Sequence, residues 1–515
     1  MMTMPCSAKN AARACTKYNQ TRHVPGLAQR FKESTMQRAL ALSLVCILLW
    51  AGCTTDEPSP PPRMVPSCVL QGSWYEIGRQ TAYHFPGAFI KGSLIFRLFM
   101  KISAREARAY YTEIEPTIPA DIREQLRGME DGLAQYWHVP HGLARDMVLI
   151  WNLGIEINAR NATNEAGCTA FAFHSTAGTF LAHNTDNRPG TGDMGTASYY
   201  RPDNGDHAFL SFFAPGFAGV GIGMNDSGLA ITYNVGRPNK DASTGLPGIF
   251  MVRQVMAKCA AIEEALAMFR GHLEAGGRFG HGGLNLLIVD FKNSTLARVQ
   301  LCSGDIKITR GREIRPGVMF EGCSNHFDEN FSPLTPAQQK KPLNRSSIQR
   351  MRRLLELVPI FQTYDLRTCW DILTDSEKGS PSNTTICRRC DSSETTMTNI
   401  FTAHTAYYSL GLPCEYLEHY GTPLQMPVIT PRMSVSGRVT AHGTALARAR
   451  IIAHGITDTS IRTQTLSAPD GTYALYNLPE GSYHVSVKKL FHPGIAAEVT
   501  CGDEELQGLD FDLLF

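Results

Sequence analysis

The sequence predicts an α+β layered domain followed by a small all-β sandwich. Three stretches with different patterns indicate this organisation. Residues 68 to about 160 place apolar side chains three and four apart, as amphipathic helices do. From Thr169 onward, strand-like runs alternate with turn signals and enclose two helical segments. A Pro-bearing stretch at 422–433 then separates a tail with a turn about every ten residues, which is typical of a β-sandwich.

Composition excludes several classes of protein. The 515 residues include 49 Lys+Arg and 47 Asp+Glu, which leaves a formal net charge of +2. This balance excludes an acidic solvating chain and a polybasic nucleic-acid binder, so no nucleic-acid partner is expected. One sustained apolar run excludes a polytopic membrane protein. The 14 cysteines are too sparse for a disulfide scaffold.

Residues 1–53 are predicted to be a leader with a lipoprotein-type signal. The apolar run Ala39–Gly52 is shorter than the ~20 residues of a membrane-spanning helix, which favours a secretory signal. The small residues directly before Cys53 resemble a bacterial lipobox and predict lipidation of that cysteine, although Trp50 departs from the usual leucine. An ordinary cleaved signal or a single membrane anchor are the alternatives. Translation is predicted to start at Met36, since it opens a compact basic region before the apolar run.

The signal implies an exported protein anchored to a membrane, in the periplasm or at the cell surface. The Pro-rich residues 54–67 suit a semi-rigid tether. Disulfides persist in such compartments. Cys387 and Cys390 therefore have three interpretations: a local disulfide, two unrelated thiols, or a redox pair.

The elements of the layered domain follow from local patterns. The helical region of residues 101–137 is interrupted by Pro116 and Pro119, which divide it into two pieces. The runs 169–186, 207–216, 218–235, 284–291 and 296–310 predict strands. Residues 250–277 and 346–361 have a helical period.

Gly167-Cys168-Thr169 lies where the helical pattern gives way to strands. If the Gly167–Cys168 bond were cut, Cys168 would carry both a thiol nucleophile and an α-amine, and an α-amine titrates near ~7.7–8, where a general base works well. The alternative is a small core residue at the start of a strand.

The residues that follow resemble the N-terminal-nucleophile (Ntn) hydrolases of the C45 peptidase and acyl-CoA:6-aminopenicillanic acid acyltransferase family. The resemblance runs over about 70–420. Its ordered motifs are Gly167-Cys168-Thr169, Ala182-His183-Asn184-Thr185-Asp186, Gly223 to Ala230 with Tyr233-Asn234, Ser324-Asn325-His326, Asn344-Arg345-Ser346 with Arg350, and Thr385-Ile386-Cys387-Arg388. It implies a four-layer αββα sandwich over 68–421 and self-cleavage before Cys168.

The resemblance also implies roles for individual residues. Cys168 would attack an acyl carbon and Asp186 would orient the new amine. Asn234 and Asn325 would donate to the developing oxyanion, and Arg388 would position or charge-balance the site. The last four of these residues each have a structural alternative. Asp186 could cap a turn, the two asparagines could satisfy loop backbone, and Arg388 could be an ordinary surface cation.

Two positions depart from the family pattern. His183 replaces a common Arg or Gln, and Thr185 replaces an aromatic residue, so the pocket wall and the substrate are expected to differ. His183 is either a second acid/base group or a turn histidine without that role. The glycines between 216 and 223 lack the spacing of a phosphate loop. No motif implies a metal or another cofactor.

In the tail, residues 434–515, Gly437, the turn at 469–473 and the segment 477–483 resemble the carboxypeptidase regulatory-like (transthyretin-like) domain. Such modules usually act as spacers or as platforms for a surface or glycan ligand.

Together these patterns predict an exported, lipid-anchored cysteine Ntn hydrolase that cleaves a small linear amide through an acyl-cysteine. Acyl-CoA is scarce outside the cytoplasm, which favours hydrolysis over CoA-dependent transfer. The alternatives are an N-acyltransferase of the same family and a non-catalytic binding lipoprotein on the same fold.

Overall fold

The computed structural model describes residues 64–98, 100–160, 167–187, 195–236, 244–280, 283–332, 335–377, 380–490 and 492–513. They all lie in one compact unit, Pro60–Phe515. The predicted start at Met36, the lipidated Cys53 and most of the tether lie outside the described residues. Within the described ranges, no helix is both long and apolar enough to cross a membrane.

Helices come in two groups, before and after the strands that begin at Gly167. The first group is α1 (Trp74–His84), α2 (Pro86–Leu98), α3 (Ala104–Ile114), α4 (Ala120–Trp137) and α5 (His141–Arg160). The others are α6 (Gly248–Lys258), α7 (Ile262–Glu274), α8 (Pro336–Gln339), α9 (Pro342–Leu357), α10 (Leu366–Leu373) and α11 (Pro413–Tyr420). As predicted, the helical region breaks at Pro116 and Pro119, between α3 and α4. The segment 250–277 divides into α6 and α7, where Cys259 takes an extended conformation.

The first eight-stranded sheet has the order β1-β4-β5-β6-β7-β8-β9-β10. Its strands are β1 (Ser67–Gly72), β4 (Thr196–Pro202), β5 (Phe209–Phe213), β6 (Ile222–Asn225), β7 (Leu229–Val235), β8 (Leu284–Asp290), β9 (Thr295–Cys302) and β10 (Asp305–Arg310). The prediction that residues 68–72 are helical is wrong. They form β1, which pairs in parallel with β4, and this long-range pairing leaves no mark in the local pattern.

The second eight-stranded sheet carries β2, the strand that begins at Gly167. Its path is β11-β12-β2-β3-β14-β15-β16, and β13 pairs with β14. The strands are β2 (Gly167–Ser175), β3 (Gly178–Asn187), β11 (Arg312–Arg315), β12 (Val318–Cys323), β13 (Arg389–Cys390), β14 (Ser393–Phe401), β15 (Thr405–Leu410) and β16 (Leu424–Pro427).

Successive side chains of β2 point to opposite faces of its sheet, and their contacts show how the layers stack. Ala170 and Ala172 belong to the core between the two sheets, where they pack with residues of β4 to β8. Phe171 and Phe173 point the other way and pack against α9 and α10. The opposite face of the first sheet packs against α1 to α7. This confirms the predicted αββα sandwich, since successive side chains of one strand serve two different interfaces.

The C-terminal region is all β, as predicted, and contains two four-stranded sheets. Its strands are β17 (Met433–Ala441), β18 (Thr444–Ala445), β19 (Arg450–Gly455), β20 (Arg462–Leu466), β21 (Thr472–Tyr476), β22 (Gly481–Lys489), β23 (His492–Cys501) and β24 (Phe511–Leu513). Their shared core also takes in Met64, from the start of the described chain, which is 1% exposed.

The cysteine pair at 387 and 390 is not bonded within itself. Cys387 forms a disulfide with Cys414, and Cys390 is a half-buried thiol near Asn383. The local-disulfide and redox-pair interpretations are therefore wrong. The turn between β14 and β15 brings Cys414, at the start of α11, to a Cα–Cα distance of 6.5 Å from Cys387, within disulfide range.

Candidate active site

The candidate site is built on the first residues of β2. Gly167 pairs with Asp186 of β3 and Cys168 pairs with Thr185. Cys168 is 6% exposed, and it faces the first sheet near β7. The predicted nucleophile and the predicted aspartate therefore start and end a pair of adjacent antiparallel strands, so the hairpin register sets their separation.

Asp186 lies between two buried guanidinium groups. Its Oδ2 is 3.5 Å from Arg350 Nη1 and 3.6 Å from Arg388 Nη1. Its Oδ1 accepts a hydrogen bond from Thr395 Oγ1 at 2.9 Å, whereas Oδ2 has no hydrogen-bond partner within the described residues. All three charged side chains are at most 1% exposed, so solvent screens their interactions little.

The cluster carries an excess of positive charge. Burial lowers the pKa of Arg350 to about 10, while the neighbouring Asp186 partly restores it. The guanidinium therefore stays protonated at neutral pH, and two cations face one carboxylate. An environment of this kind favours a thiolate or an oxyanion at Cys168, because either would balance the remaining charge.

Gly167 is required by this arrangement. A Cβ atom at Gly167 would lie 2.6 Å from Arg388 Nη1, 3.0 Å from Asp186 Oδ2 and 3.1 Å from Arg350 Nη2. No side chain fits without displacing the charged groups. The glycine thus lets the cluster approach the backbone directly before Cys168.

Asn325 holds the backbone nitrogen of Cys168. The Cys168 N–H donates to Asn325 Oδ1 at 3.0 Å, and Arg350 Nη2 donates to the same oxygen at 2.8 Å. The Asn325 amide nitrogen donates to the carbonyl of Val235 at 3.0 Å. In this state Asn325 acts as an acceptor towards Cys168, and its predicted role as an oxyanion donor stays a prediction.

Asn234 lies on the facing strand β7 and is held from both sides. Its Oδ1 lies 3.1 Å from His183 Nε2, and its amide nitrogen is 3.4 Å from the Cys323 carbonyl. Burial lowers the pKa of His183 to about 3, so the imidazole is neutral and its Nε2–H can donate to Asn234. His183 lies within β3 and not in a turn, and Thr185 Oγ1 is 3.2 Å from its other nitrogen.

Arg388 is positioned by a small polar frame. Its Nε and Nη2 donate to Asn383 Oδ1 at 2.9 and 2.7 Å, and its Nη1 donates to Ser393 Oγ at 2.9 Å. The preceding residue is the disulfide-bonded Cys387, which anchors the segment. The structure therefore gathers Cys168, Asp186, Asn325 and Arg388 in one place, with Asn234 on the facing strand.

Arg350 is the residue for which the sequence motifs predicted no role. It also donates to the Cys168 carbonyl oxygen and, at 2.6 Å, to Thr169 Oγ1, so it touches more of the site than any predicted residue does. One sequence feature could have indicated a buried role for Arg350. This arginine lies on the apolar face of α9, where Ser347 and Leu354 are also buried.

Within the described residues no group of three or more His, Cys, Asp or Glu side chains could hold a metal ion.

A comparison with protein families finds a match over residues 174–411, to acyl-coenzyme A:6-aminopenicillanic acid acyl-transferase. The range includes Asp186, Asn234, Asn325, Arg350 and Arg388, and begins six residues after Cys168. The predicted family and the predicted enzyme class, an Ntn-type amide hydrolase or acyltransferase, are confirmed.

Individual proteins similar to this chain are distant. An uncharacterized protein of Archaeoglobus fulgidus is 25% identical over 30% of this chain, and the alignment spans 29% of that relative's length. Among solved structures, the Caenorhabditis elegans N-acylethanolamine-hydrolyzing acid amidase ortholog is 11% identical, with a TM-score of 0.30, and 46% of this chain and 93% of that one are covered. Penicillin V acylase from Agrobacterium tumefaciens is 15% identical, with a TM-score of 0.29. The alignment covers 50% of this chain and 85% of the acylase chain.

Proposed function

We propose that this chain, whose residues 174–411 match the acyl-coenzyme A:6-aminopenicillanic acid acyl-transferase family, is a self-processing cysteine hydrolase. It cuts its own Gly167–Cys168 bond and then hydrolyses a linear amide, an N-acyl amine or a small peptide-like molecule, through an acyl-cysteine. The observation that carries the proposal is the buried Asp186–Arg350–Arg388 cluster. Its charged groups lie against Gly167, the residue directly before Cys168.

Self-cleavage begins with attack of the Cys168 sulfur on the Gly167 carbonyl carbon. The thiol proton passes to the Cys168 nitrogen as the C–N bond breaks, and the acyl group moves from nitrogen to sulfur. Water then hydrolyses the thioester and leaves a Gly167 carboxylate and a Cys168 with a free amine. The two guanidinium groups near Gly167 stabilise the negative charge that develops on its carbonyl oxygen.

Turnover uses the amine that cleavage creates. The α-amine of Cys168 takes the thiol proton, the thiolate attacks the substrate amide, and the protonated amine gives its proton to the leaving group. Asn325 Oδ1 already accepts from this nitrogen in the uncut chain, so it is placed to orient the amine afterwards. The negative charge of the neighbouring Asp186 partly offsets the effect of the two guanidinium groups on the ammonium form.

Water is proposed as the acceptor of the acyl group. Export, predicted from the apolar run before Cys53, would place the enzyme where acyl-CoA is scarce, and lipidation of Cys53 would hold it at a membrane. The second candidate is an N-acyltransferase, which the description of the matched family favours.

The first test is the denatured intact mass of the protein expressed from Met36, beside Cys168→Ala and, as a control, Cys501→Ala. Cys501 is a free cysteine in β23 of the C-terminal sandwich, outside the cluster around Asp186. We expect two chains for the wild type and for Cys501→Ala, the second beginning at Cys168, and one uncut chain for Cys168→Ala. A single chain in all three would remove the self-processing mechanism and favour the binding lipoprotein.

The second test separates hydrolase from transferase. A labelled N-acyl amine is supplied with and without a second amine, and the labelled products are identified. Free acid in both reactions supports the hydrolase, and an acylated second amine identifies a transferase. Absence of a Cys168 thioester with any labelled amide would leave the protein as a binding module.

A further inference from the structure

A cleft of about 460 Å³ lies where the C-terminal sandwich meets the helical layer. Its lining comes from both sides: Tyr83 and Tyr136 from α1 and α4, and Met433, Pro469 and Tyr476 from the sandwich. The volume falls in the range of small-molecule pockets, and junctions between domains are frequent ligand sites. None of Cys168, Asp186, Asn234, Asn325, Arg350 and Arg388 lines it, so the cleft is distinct from the candidate active site.

Arg201, the last residue but one of β4, supplies the charge of the cleft. Its side chain is half-buried, and it makes no hydrogen bond or ion pair with any residue that the structure describes. No acidic side chain lines this cleft within the described part of the chain. A half-buried guanidinium is usually paired, so this one is available to a ligand anion.

The other polar groups of the cleft are already engaged or neutral. Gln71 and Gln80 bond to each other, through the Gln71 N–H to Gln80 Oε1 at 3.0 Å and the Gln80 amide to the Gln71 carbonyl at 2.7 Å. The Tyr83 hydroxyl bonds to the backbone of the sandwich. Burial lowers the pKa of His84 to about 4, so this imidazole carries no charge at neutral pH.

A neighbouring recess limits the charge of the ligand. It shares Gln71, Gln80 and Arg201 with the cleft, and Glu76 and Asp203 also line it. A second anionic group reaching this recess would meet these carboxylates. The ligand is therefore expected to carry a single negative charge at one end of an apolar body.

We propose that this cleft binds a small monocarboxylate with an aromatic or aliphatic body, whose carboxylate pairs with Arg201. A planar guanidinium matches a carboxylate through two parallel hydrogen bonds. The tyrosine, methionine and proline side chains would cover the apolar body. The proposal does not depend on cleavage at Cys168.

The experiment is calorimetric titration of the full chain with phenylacetate and with octanoate, and with phenylacetamide as a neutral match. We expect saturable binding of at least one carboxylate, and binding of the amide that is weaker by about tenfold or more. Arg201→Gln is expected to lose about the same factor. Arg450→Gln, which alters an exposed arginine of β19, and Cys168→Ala are expected to bind like the wild type.

Several outcomes would overturn the proposal. They are absence of saturable binding to the wild type, equal binding by Arg201→Gln, and equal affinity for inorganic phosphate, which would show a general anion effect. Loss of binding in Cys168→Ala would place the ligand in the active site instead. If Arg201→Gln fails to fold, Tyr476→Ala keeps the charge and removes one apolar wall; unchanged octanoate binding by this variant would also contradict the proposal.

Discussion

The backbone N–H of Cys168 donates a hydrogen bond to the side-chain oxygen of Asn325, with 3.0 Å between the two atoms. The two residues are 157 positions apart in the chain, and they meet because β2 pairs with β12, which ends just before Ser324-Asn325. Cleavage before Cys168 would turn this nitrogen into an amine without removing its acceptor. One amide side chain would thus serve both the uncut and the mature protein.

Replacement of Asn325 by Ala is expected to leave the chain uncut. The variant loses the acceptor for the Cys168 nitrogen and exposes Arg350 to an unfilled space, which we expect to cost about 1–3 kcal/mol of unfolding free energy. Intact mass and urea unfolding measure the two effects. Asn325→Asp keeps an oxygen at the same place and should recover part of the cleavage; equal cleavage by Asn325→Ala and the wild type would contradict the assigned role.

Replacement of Arg350 by Gln is expected to abolish cleavage and to lower the unfolding free energy by about 3–5 kcal/mol, because Asp186 loses one of its two buried cations. Arg352→Gln is the matched control on the same helix. Arg352 is exposed, and among the described residues it pairs only with Glu356, in an i,i+4 arrangement, so we expect a change of less than about 1 kcal/mol and normal cleavage. Similar effects of the two substitutions on urea unfolding would argue against a buried ion cluster.

The neutral His183 makes the fold sensitive to acid. Its pKa is about 3 when folded and near 6.5 when unfolded, so its contribution is complete above pH 6.5 and is lost as the pH falls towards 3. At pH 5 this loss is on the order of 2 kcal/mol. We expect urea unfolding of His183→Gln to lose less stability than the wild type between pH 7.5 and 5. His84 is retained in both proteins and cancels in the difference; parallel pH profiles would disprove the prediction.

The contact between the sandwich and α1 depends on one hydroxyl. Tyr83 donates to the Ser467 carbonyl and accepts from the Arg448 N–H at 3.1 Å. Tyr83→Phe removes both bonds, but the Arg448 N–H still donates to the Ser467 carbonyl at 2.9 Å, so we expect a loss of about 0.5–1.5 kcal/mol in urea unfolding. Tyr476→Phe is the comparison, because no described residue bonds to that hydroxyl, and it should change little. A smaller effect for Tyr83→Phe than for Tyr476→Phe would refute this account.

The disulfide that precedes Arg388 is expected to stabilise the fold. Cys387 and Cys414 close a loop with a sequence separation of 27, for which chain entropy predicts about 3.5 kcal/mol. Cys414→Ser should lower thermal stability by a corresponding amount without reductant, whereas Cys390→Ser should leave it nearly unchanged. With reductant present, the wild type and Cys414→Ser should converge, and a persistent gap would point to a cause other than the bond.

The sequence by itself determined the layered fold and the all-β tail, and it predicted most of the residues of the candidate site. Hydrophobic period is a local property, so it predicted the break between α3 and α4 and the helix α9 correctly. Ordered motifs predicted Cys168, Asp186, Asn325 and Arg388 as site residues, and the structure brings these four together.

Only the tertiary structure decided which groups touch. The parallel pairing of β1, the bond from Cys387 to Cys414 and the central position of Arg350 each join residues far apart in the chain. A local sequence pattern does not predict which distant residues will pair, because strand pairing and burial depend on how whole layers pack together. The charge balance around Cys168 therefore appears only when β2, β3, α9 and the segment before β13 are assembled.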